Sequence, residues 1–482
     1  MKSKLTLFVI CIGVLFSCAT NTKKIEVALS DKALNDHSSI FYASYNNYPA
    51  KLKNLPIGMF DSGTGGLTVM EQFLSVDYFD NKTGEEIPDG IPDFDGEDFI
   101  YLADQANMPY GVYSSQSKTD YLRELIIKDA LFLTTEPNRT KMVVIACNTA
   151  TAYGLDDVKI LLGLSGTGVK PIGVIEAGVD GAMSAISPDS SNPFAVGVLA
   201  TVGTISSGGY ENALMKYVSD KRFKSPLKVV NQGGLGFAEA VDSETDYILR
   251  GASQPRTNYR GPGLGEFPEG IDTNLLGLYK FDTSGNSLLF SKNEKGEVEN
   301  IQLNSTGNYA RFHMVTLIEK HRRDNPGVKM GSVILGCTHY PFLIDTLIKV
   351  VDELRTYSQD GVNIYDEVLA EEVVFIDPAV NTAKEAFKTL FADKNLKRTT
   401  VGNTLKGYIS VAHPNLSGEF KDENNNLKFE YKYGRSIGSD EQSVLVEPFS
   451  LKNINSDNLS RIKERLPYSY ALIKNYLESD EF

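Results

Sequence analysis

Short apolar, β-branched runs alternate along this chain with longer stretches whose apolar residues recur every three to four positions, beginning at Ile57. Ile57 to Phe60, Val143 to Ala146, Val196 to Ala200 and Val333 to Gly336 are the clearest runs. Apart from single glycines each is apolar, as a strand covered on both faces must be. Residues 117–134 place Tyr121, Leu122, Leu125, Ile126, Ala130 and Leu133 along one helical face. Strand, helix, strand repetition of this kind predicts an α/β fold with mainly parallel sheets, whose ligands gather at the carboxyl ends of the strands. Two similar α/β halves facing each other across a cleft are expected, the first at 56–171 plus 341–392 and the second at 172–340.

Several stretches fall outside that rhythm. Residues 18–55 are polar, carry no sustained period and read as a tether. Residues 80–97 are acidic and turn-rich; Asp89, Asp93 and Asp95 lack the spacing and terminal glutamate of a calcium loop, so a solvated loop is expected. The insert 251–309 is rich in glycine, proline and asparagine, and its Tyr279 to Phe290 reads as a hairpin, expected beside the cleft. Residues 393–482 form a β-rich C-terminal extension ending in an amphipathic helix near 457–478, with no chemistry assigned.

The amino end carries Lys2 and Lys4, then an apolar run from Leu5 to Phe16 that is too short to span a bilayer and has the layout of a signal peptide over 1–17. Leu15-Phe16-Ser17-Cys18 resembles a bacterial lipoprotein cleavage box. That predicts lipidation at Cys18 and an exported, membrane-anchored protein on the periplasmic side of the envelope; the plainer alternative is an ordinary cleaved signal. The 62 acidic and 48 basic residues give −14, and loss of Lys2 and Lys4 with the signal gives −16. Such a surface disfavours nucleic acid and anionic membrane as partners, but does not exclude a small acidic ligand in a local pocket.

Of four cysteines, Cys11 and Cys18 belong to that leader, leaving Cys147 and Cys337 in the body. Both directly follow a buried-strand pattern, and both are followed by polar side chains: Asn148 and Thr149 in one case, Thr338 and His339 in the other. A strand so placed delivers a nucleophile or base at its carboxyl end. The plain alternatives are two small core residues or a disulfide.

Six motifs in order carry a resemblance. They are Ile57-Gly58-Met59-Phe60-Asp61-Ser62-Gly63-Thr64-Gly65-Gly66; Tyr101-Leu102-Ala103-Asp104 with Pro109-Tyr110-Gly111; Ala146-Cys147-Asn148-Thr149; Ile172-Gly173-Val174-Ile175-Glu176; Val196-Gly197-Val198-Leu199-Ala200-Thr201 with Gly203-Thr204; and Leu335-Gly336-Cys337-Thr338-His339-Tyr340-Pro341. The set resembles glutamate racemase, of the cofactor-independent aspartate/glutamate racemase superfamily, over roughly 56–250 and 310–392. The resemblance implies that Cys147 and Cys337 are the catalytic acid–base pair, with Asp61 assisting the first and His339 the second. It implies substrate contacts from Ser62, Pro109, Tyr110, Gly111, Asn148, Thr149, Thr201, Thr204 and Thr338. Where the family carries a glutamate, spacing puts Asp242, one methylene shorter, as support for the second thiol. Gly63-Thr64-Gly65-Gly66 alone is a poor phosphate loop, since it lacks the lysine.

Racemisation removes the α-proton from one face and returns a proton to the other, which two acid–base groups on opposite sides accomplish. Thiols titrate near enough to neutrality to serve, so no pyridoxal phosphate, metal or other cofactor is called for. The reading is thus an exported glutamate racemase-type isomerase acting on a small amino acid, at odds with a cytoplasmic role in peptidoglycan precursor supply. Aspartate or another acidic amino acid is the nearest alternative substrate. A lipoprotein that binds D-glutamate or a cell-wall fragment without turnover is the alternative from another class, although a binder needs neither both thiols nor both helpers. A homodimer is left open.

Overall fold

The computed structural model describes residues 28–478 apart from 185, 400, 439–441 and 455. The leader and Cys18 lie outside the described residues. The strands in chain order are β1 (Ile57–Asp61), β2 (Asp98–Ala103), β3 (Met142–Ile145), β4 (Lys170–Gly173), β5 (Phe194–Ala200), β6 (Leu227–Gly233), β7 (Leu288–Lys292), β8 (Val298–Leu303), β9 (Lys329–Gly336), β10 (Ser358–Gln359), β11 (Val362–Asn363), β12 (Leu369–Ile376), β13 (Thr404–Ala412) and β14 (Val444–Pro448).

Two sheets organise the molecule. The first has the order β14-β13-β2-β1-β3-β4 and is parallel except for β14; the second, β12-β9-β5-β6, is parallel throughout. The apolar runs form the centres of these sheets. Phe60 registers with Ile145 in the first, and Val198 with Ile334 in the second. Every residue of β1 and β3 is buried because helices cover both faces. One face packs Leu67, Met70 and Phe73 of the helix Leu67–Ser75, and the other packs Leu122, Ile126 and Leu133 of the helix Thr119–Thr134. The α/β class with mainly parallel sheets is as the sequence pattern predicts.

The division between halves differs from the expected one. Strand β12, placed by chain position in the first half, pairs with β9 and completes the second sheet. The chain then returns: the helix Pro378–Ala392 buries Ala383, Ala386 and Phe387 in the core of the first half. An apolar run specifies that a strand is buried, not which of two similar sheets takes it.

The tether expectation fails over its described part. Residues 28–35 form a helix, and Leu29, Ala33, Ala43 and Leu52 are buried against the Thr119–Thr134 layer. The Tyr48 hydroxyl donates to the Thr140 carbonyl. These anchors are spaced irregularly, so no period announced them. In the loop 80–97 the carboxylates accept backbone N–H groups: Asp93 from Tyr78 and Phe79, Asp80 from Lys82 and Thr83. The hairpin of the insert turns later than expected. Ser284–Asn286 is a 3-10 turn, and the strands are β7 and β8, joined through Asn293 to Glu297.

The extension belongs to the first half. β13 adds in parallel to β2, with Ile409 against Ala103, and β14 closes the edge. The expected terminal helix is two, Ser456–Arg465 and Pro467–Glu478, because Pro467 lacks the N–H that would continue the first. The second lies against the helix Leu67–Ser75, where Glu71 accepts the backbone N–H groups of Tyr468 and Ser469.

Candidate active site

Both cysteines stand at carboxyl ends of central strands, as anticipated from their sequence context. Cys147 follows β3 and caps the helix Asn148–Ser165, its sulfur accepting the Ala150 N–H at 3.5 Å. Cys337 follows β9. Both thiols are free and buried, at 7% and 6% exposure, and both line one cavity of about 120 Å³. Asp61, Ser62, Pro109, Tyr110, Gly111, Asn148, Thr149, Thr201, Asp242, Thr338 and His339 line the same cavity. Thr204 stands behind it, its hydroxyl within hydrogen-bonding distance of Thr149 (3.0 Å) and Thr201 (2.9 Å). Fragments separated by nearly 280 residues thus meet around one small space.

Glycines of both halves make the approach possible. A methyl on Gly65 would lie 2.6 Å from Cε1 of His339, so the glycine turn after β1 exists here to admit an imidazole from the other half. A methyl on Gly203 would lie 2.7 Å from Cα of Gly111, which is the same requirement on the opposite wall.

The two thiols have different surroundings. Beside Cys147 lie the Ser62 hydroxyl, 3.9 Å from the sulfur, and the Asp61 carboxyl, which accepts the Gly66 N–H at 2.6 Å. Burial raises the pKa of Asp61 against the pull of His339 and the Gly66 N–H, and burial with the Asp61 charge pushes that of Cys147 well above the usual thiol range. This side of the site therefore holds protons.

Cys337 faces His339, with Nδ1 at 3.5 Å, and Nε2 of that ring is 2.9 Å from the Asp242 carboxylate. Burial alone would discharge His339, but Asp242 and Cys337 raise its pKa well above the ordinary histidine value. Asp242 is held down to about 2, His339 and the Arg461 guanidinium outweighing its burial. The second thiol accordingly has a positive charge next to it. The two sulfurs thus stand in unlike surroundings, one beside a buried carboxyl and the other beside an imidazole, an asymmetry that suits a proton relay across a carbon atom.

The polar groups between them can hold a small zwitterion. Ser62, Thr149 and Thr338 offer hydroxyls, and the amino terminus of the eighteen-residue helix Asn148–Ser165 offers backbone N–H groups to a carboxylate. Asn148 is fixed by the Tyr210 hydroxyl, which donates to its Oδ1 at 2.6 Å. Tyr110 lines the cavity with its hydroxyl already engaged. Its hydroxyl is 2.5 Å from Asp104 and 2.8 Å from Asp129, so it is spent on two buried carboxyls rather than offered to a ligand. Burial and then Asp104 raise Asp129 well above the carboxylate range.

The cavity also includes groups not singled out from the sequence. Glu239, Glu244 and Tyr247 form one wall and Met108, Val112 and Leu235 add apolar surface. Glu239 lies inside the segment whose spacing picked out Asp242, and its carboxyl, with that of Glu244, could have been suspected from proximity in sequence. Arg461, 219 residues from Asp242, left no such trace.

No protein-family model matches the chain. Curated relatives do. It is 29% identical over 343 residues to the glutamate racemase of Oceanobacillus iheyensis, covering 71% of this chain and 82% of that one, and 25% identical over 360 residues to that of Clostridium novyi, covering 75% and 93%. Against the Enterococcus faecalis glutamate racemase the identity is 36% over 158 residues, 33% of this chain and 46% of the other. Among solved structures, a glutamate racemase isoform of Bacillus anthracis aligns with a TM-score of 0.43 at 22% identity, covering 74% of this chain and 88% of that one.

Proposed function

We propose that this chain, a homologue of the glutamate racemases and an isomerase like them, interconverts L- and D-glutamate by passing the α-proton between two thiols. The observation that carries the reading is the pair of free cysteines at the carboxyl ends of strands in opposite sheets, lining one cavity, each with its own proton partner. In the L-to-D direction the Cys337 thiolate takes the α-proton, the electron pair delocalises into the substrate carboxylate, and the Cys147 thiol returns a proton to the opposite face. The reverse reaction exchanges the two roles. Asp61 holds and releases the proton shared with Cys147, while the imidazolium of His339 compensates the anion at Cys337. Ser62, Asn148, Thr149 and Thr338 supply the hydroxyl, amide and N–H groups for the substrate's carboxylate and ammonium, with Thr201 and Thr204 holding Thr149.

Incubation of purified protein in heavy water with each enantiomer of glutamate and of aspartate tests this reading. Solvent deuterium at the α-carbon of glutamate from both enantiomers is expected. Incorporation into aspartate alone would transfer the reading to the smaller acidic amino acid, and binding of D-glutamate without exchange would leave a binding protein.

The leader supports a second proposal, that the protein is exported and anchored through lipid on Cys18. Wild-type protein should take up labelled fatty acid and Cys18→Ala should not; absence of label from the wild type would overturn the anchor without touching the catalytic reading.

A further inference from the structure

The carboxylate behind the second thiol does not end in the racemase core. Asp242 turns one oxygen to His339 and the other to Arg461, whose Nη2 donates at 2.6 Å; the same guanidinium donates through Nη1 to the Val241 carbonyl and through Nη2 to Asn458 Oδ1 at 3.1 Å. Arg461 lies on the helix Ser456–Arg465 of the C-terminal extension. Its side chain is 17% exposed, and those of Asp242 and His339 are 5% exposed. The ring of Phe342 lies under the guanidinium, and the helix is pinned to the core by the buried Ile462 and Leu466. A chain of contacts therefore runs from the last helices of the molecule to the sulfur of Cys337.

The geometry points to Arg461 as a positioning residue for the second thiol: it clamps Asp242 between Val241 and His339, so that the imidazole presents its Nδ1 proton to Cys337. The planar guanidinium donates through Nη2 to the carboxylate and through Nη1 to the adjacent Val241 carbonyl, so it fixes the aspartate side chain against its own backbone, which His339 alone does not do. With one oxygen committed to Arg461, the other accepts only from Nε2 of His339, and this sets the ring's orientation. Other ionisable groups face the same cluster: Asp61 from β1 and Glu239 from the helix Phe237–Val241 face His339, and Cys147 and Tyr340 face Cys337. All of these are acids that gain negative charge on ionising, so the guanidinium opposes their combined influence on His339 and Cys337.

This inference rests on Cys337 being one of the two bases, and its test has a readout that does not require racemisation. In the full chain, iodoacetamide labelling of Cys337 across pH, resolved by peptide mapping, reports its ionisation, with Cys147 in the same sample as an internal control. For Arg461→Gln the Cys337 midpoint should rise by about half to one pH unit, since loss of the clamp removes a nearby positive charge and loosens the imidazolium. The Cys147 profile should stay put. Elimination of a β-leaving group from an L-amino-acid analogue should slow about tenfold in kcat at unchanged KM, and the D-analogue should change less than twofold. Added guanidinium should restore part of the loss. Arg461→Lys, which keeps the charge but cannot span both acceptors, should show a smaller shift of the same sign and serves if the glutamine variant does not fold. A folded variant whose Cys337 profile and L-elimination both match wild type overturns the proposal. A wild type that exchanges no α-proton while Cys337 still shifts would instead overturn the racemase reading and leave the clamp standing.

Discussion

Glu239 and Glu244 form an acidic wall of the cavity, and their replacement gives a prediction whose sign and size follow from the structure. Burial raises Glu239 to about 7 and, together with the neighbouring Glu239 charge, Glu244 to about 8. A folded-state pKa above the unfolded value means that both states are neutral below about pH 4.5 and that only the unfolded state ionises as pH climbs toward 7. Stability is therefore highest at the acid end of that window and is lost as pH rises through it. A shift of this size for Glu239 corresponds to about 3 kcal/mol. Its side chain faces a cavity that admits water, whose screening leaves about 1–2 kcal/mol. Glu239→Gln should thus unfold in urea like wild type at pH 4.5 and be more stable by that amount at pH 8.5, monitored by far-ultraviolet circular dichroism. The same variant should flatten the rise in KM for glutamate above pH 7, because a newly ionised wall repels a dicarboxylate. Equal stability increments at pH 4.5 and 8.5, or none at either, would refute the assignment of a displaced proton to this wall.

Three further outcomes are expected. Cys147→Ser and Cys337→Ser should each abolish racemisation, while elimination from a β-substituted analogue is lost chiefly for the D-form in the first and the L-form in the second; equal loss of both forms in folded variants would sink the two-thiol scheme. Gly65→Ala drives a methyl to 2.6 Å from His339 Cε1, so kcat should fall at least about tenfold while thermal denaturation shows a cost of about 1–3 kcal/mol, and wild-type turnover would show that the ring is not held there. Lys141→Met leaves Glu97 buried without the lysine that now joins it to the Lys53 and Asn395 carbonyls; urea titration should show a loss of about 3–5 kcal/mol, and a loss under about 1 kcal/mol would mean that the pair is hydrated.

What could be read from the chain depended on the range of the interaction. The strands carrying Asp61, Cys147 and Cys337 were legible because burial on both faces writes itself as a continuous apolar run, and the residue after such a run falls at the sheet's ligand-binding edge. Which sheet β12 joins was not legible, since its partner β9 lies 42 residues upstream at the Phe375–Val333 pair, and a pairing at that distance leaves no local pattern. The segment 28–55 reads as a tether because its one helical pair, Leu29 and Ala33, is too short to stand out as a period, and Ala43 and Leu52 bury singly beyond it. Tyr110 was placed in the cavity by its motif, but the destination of its hydroxyl depended on Asp104 and Asp129, which a motif does not encode. The break at Pro467 was present in the sequence and was passed over in favour of a continuous amphipathic stripe.

The extension's attachment also bears on how a site so rich in acids would accept the proposed anionic substrate. Asp61, Glu239, Asp242 and Glu244 all line the cavity, and the second α/β half supplies His339 as the facing cation there. The extension contributes the others from two directions. On the helix Phe429–Gly434, Lys432 donates to the Met108 carbonyl beside the loop that carries Pro109 to Gly111, and its charge acts on Glu244; Tyr433 donates to the Pro109 carbonyl at 3.2 Å. Arg435 next to it reaches Asn107, which in turn holds Asp104 behind Tyr110. From the opposite side Arg461 meets Asp242. Without Arg461, buried Asp242 would take up a proton more readily, and a protonated Asp242 would no longer hold His339 charged. The extension therefore acts as a set of counter-charges built onto the first sheet through β13, and its removal is a change to the electrostatics around Asp242, His339 and Glu244 before it is a loss of surface.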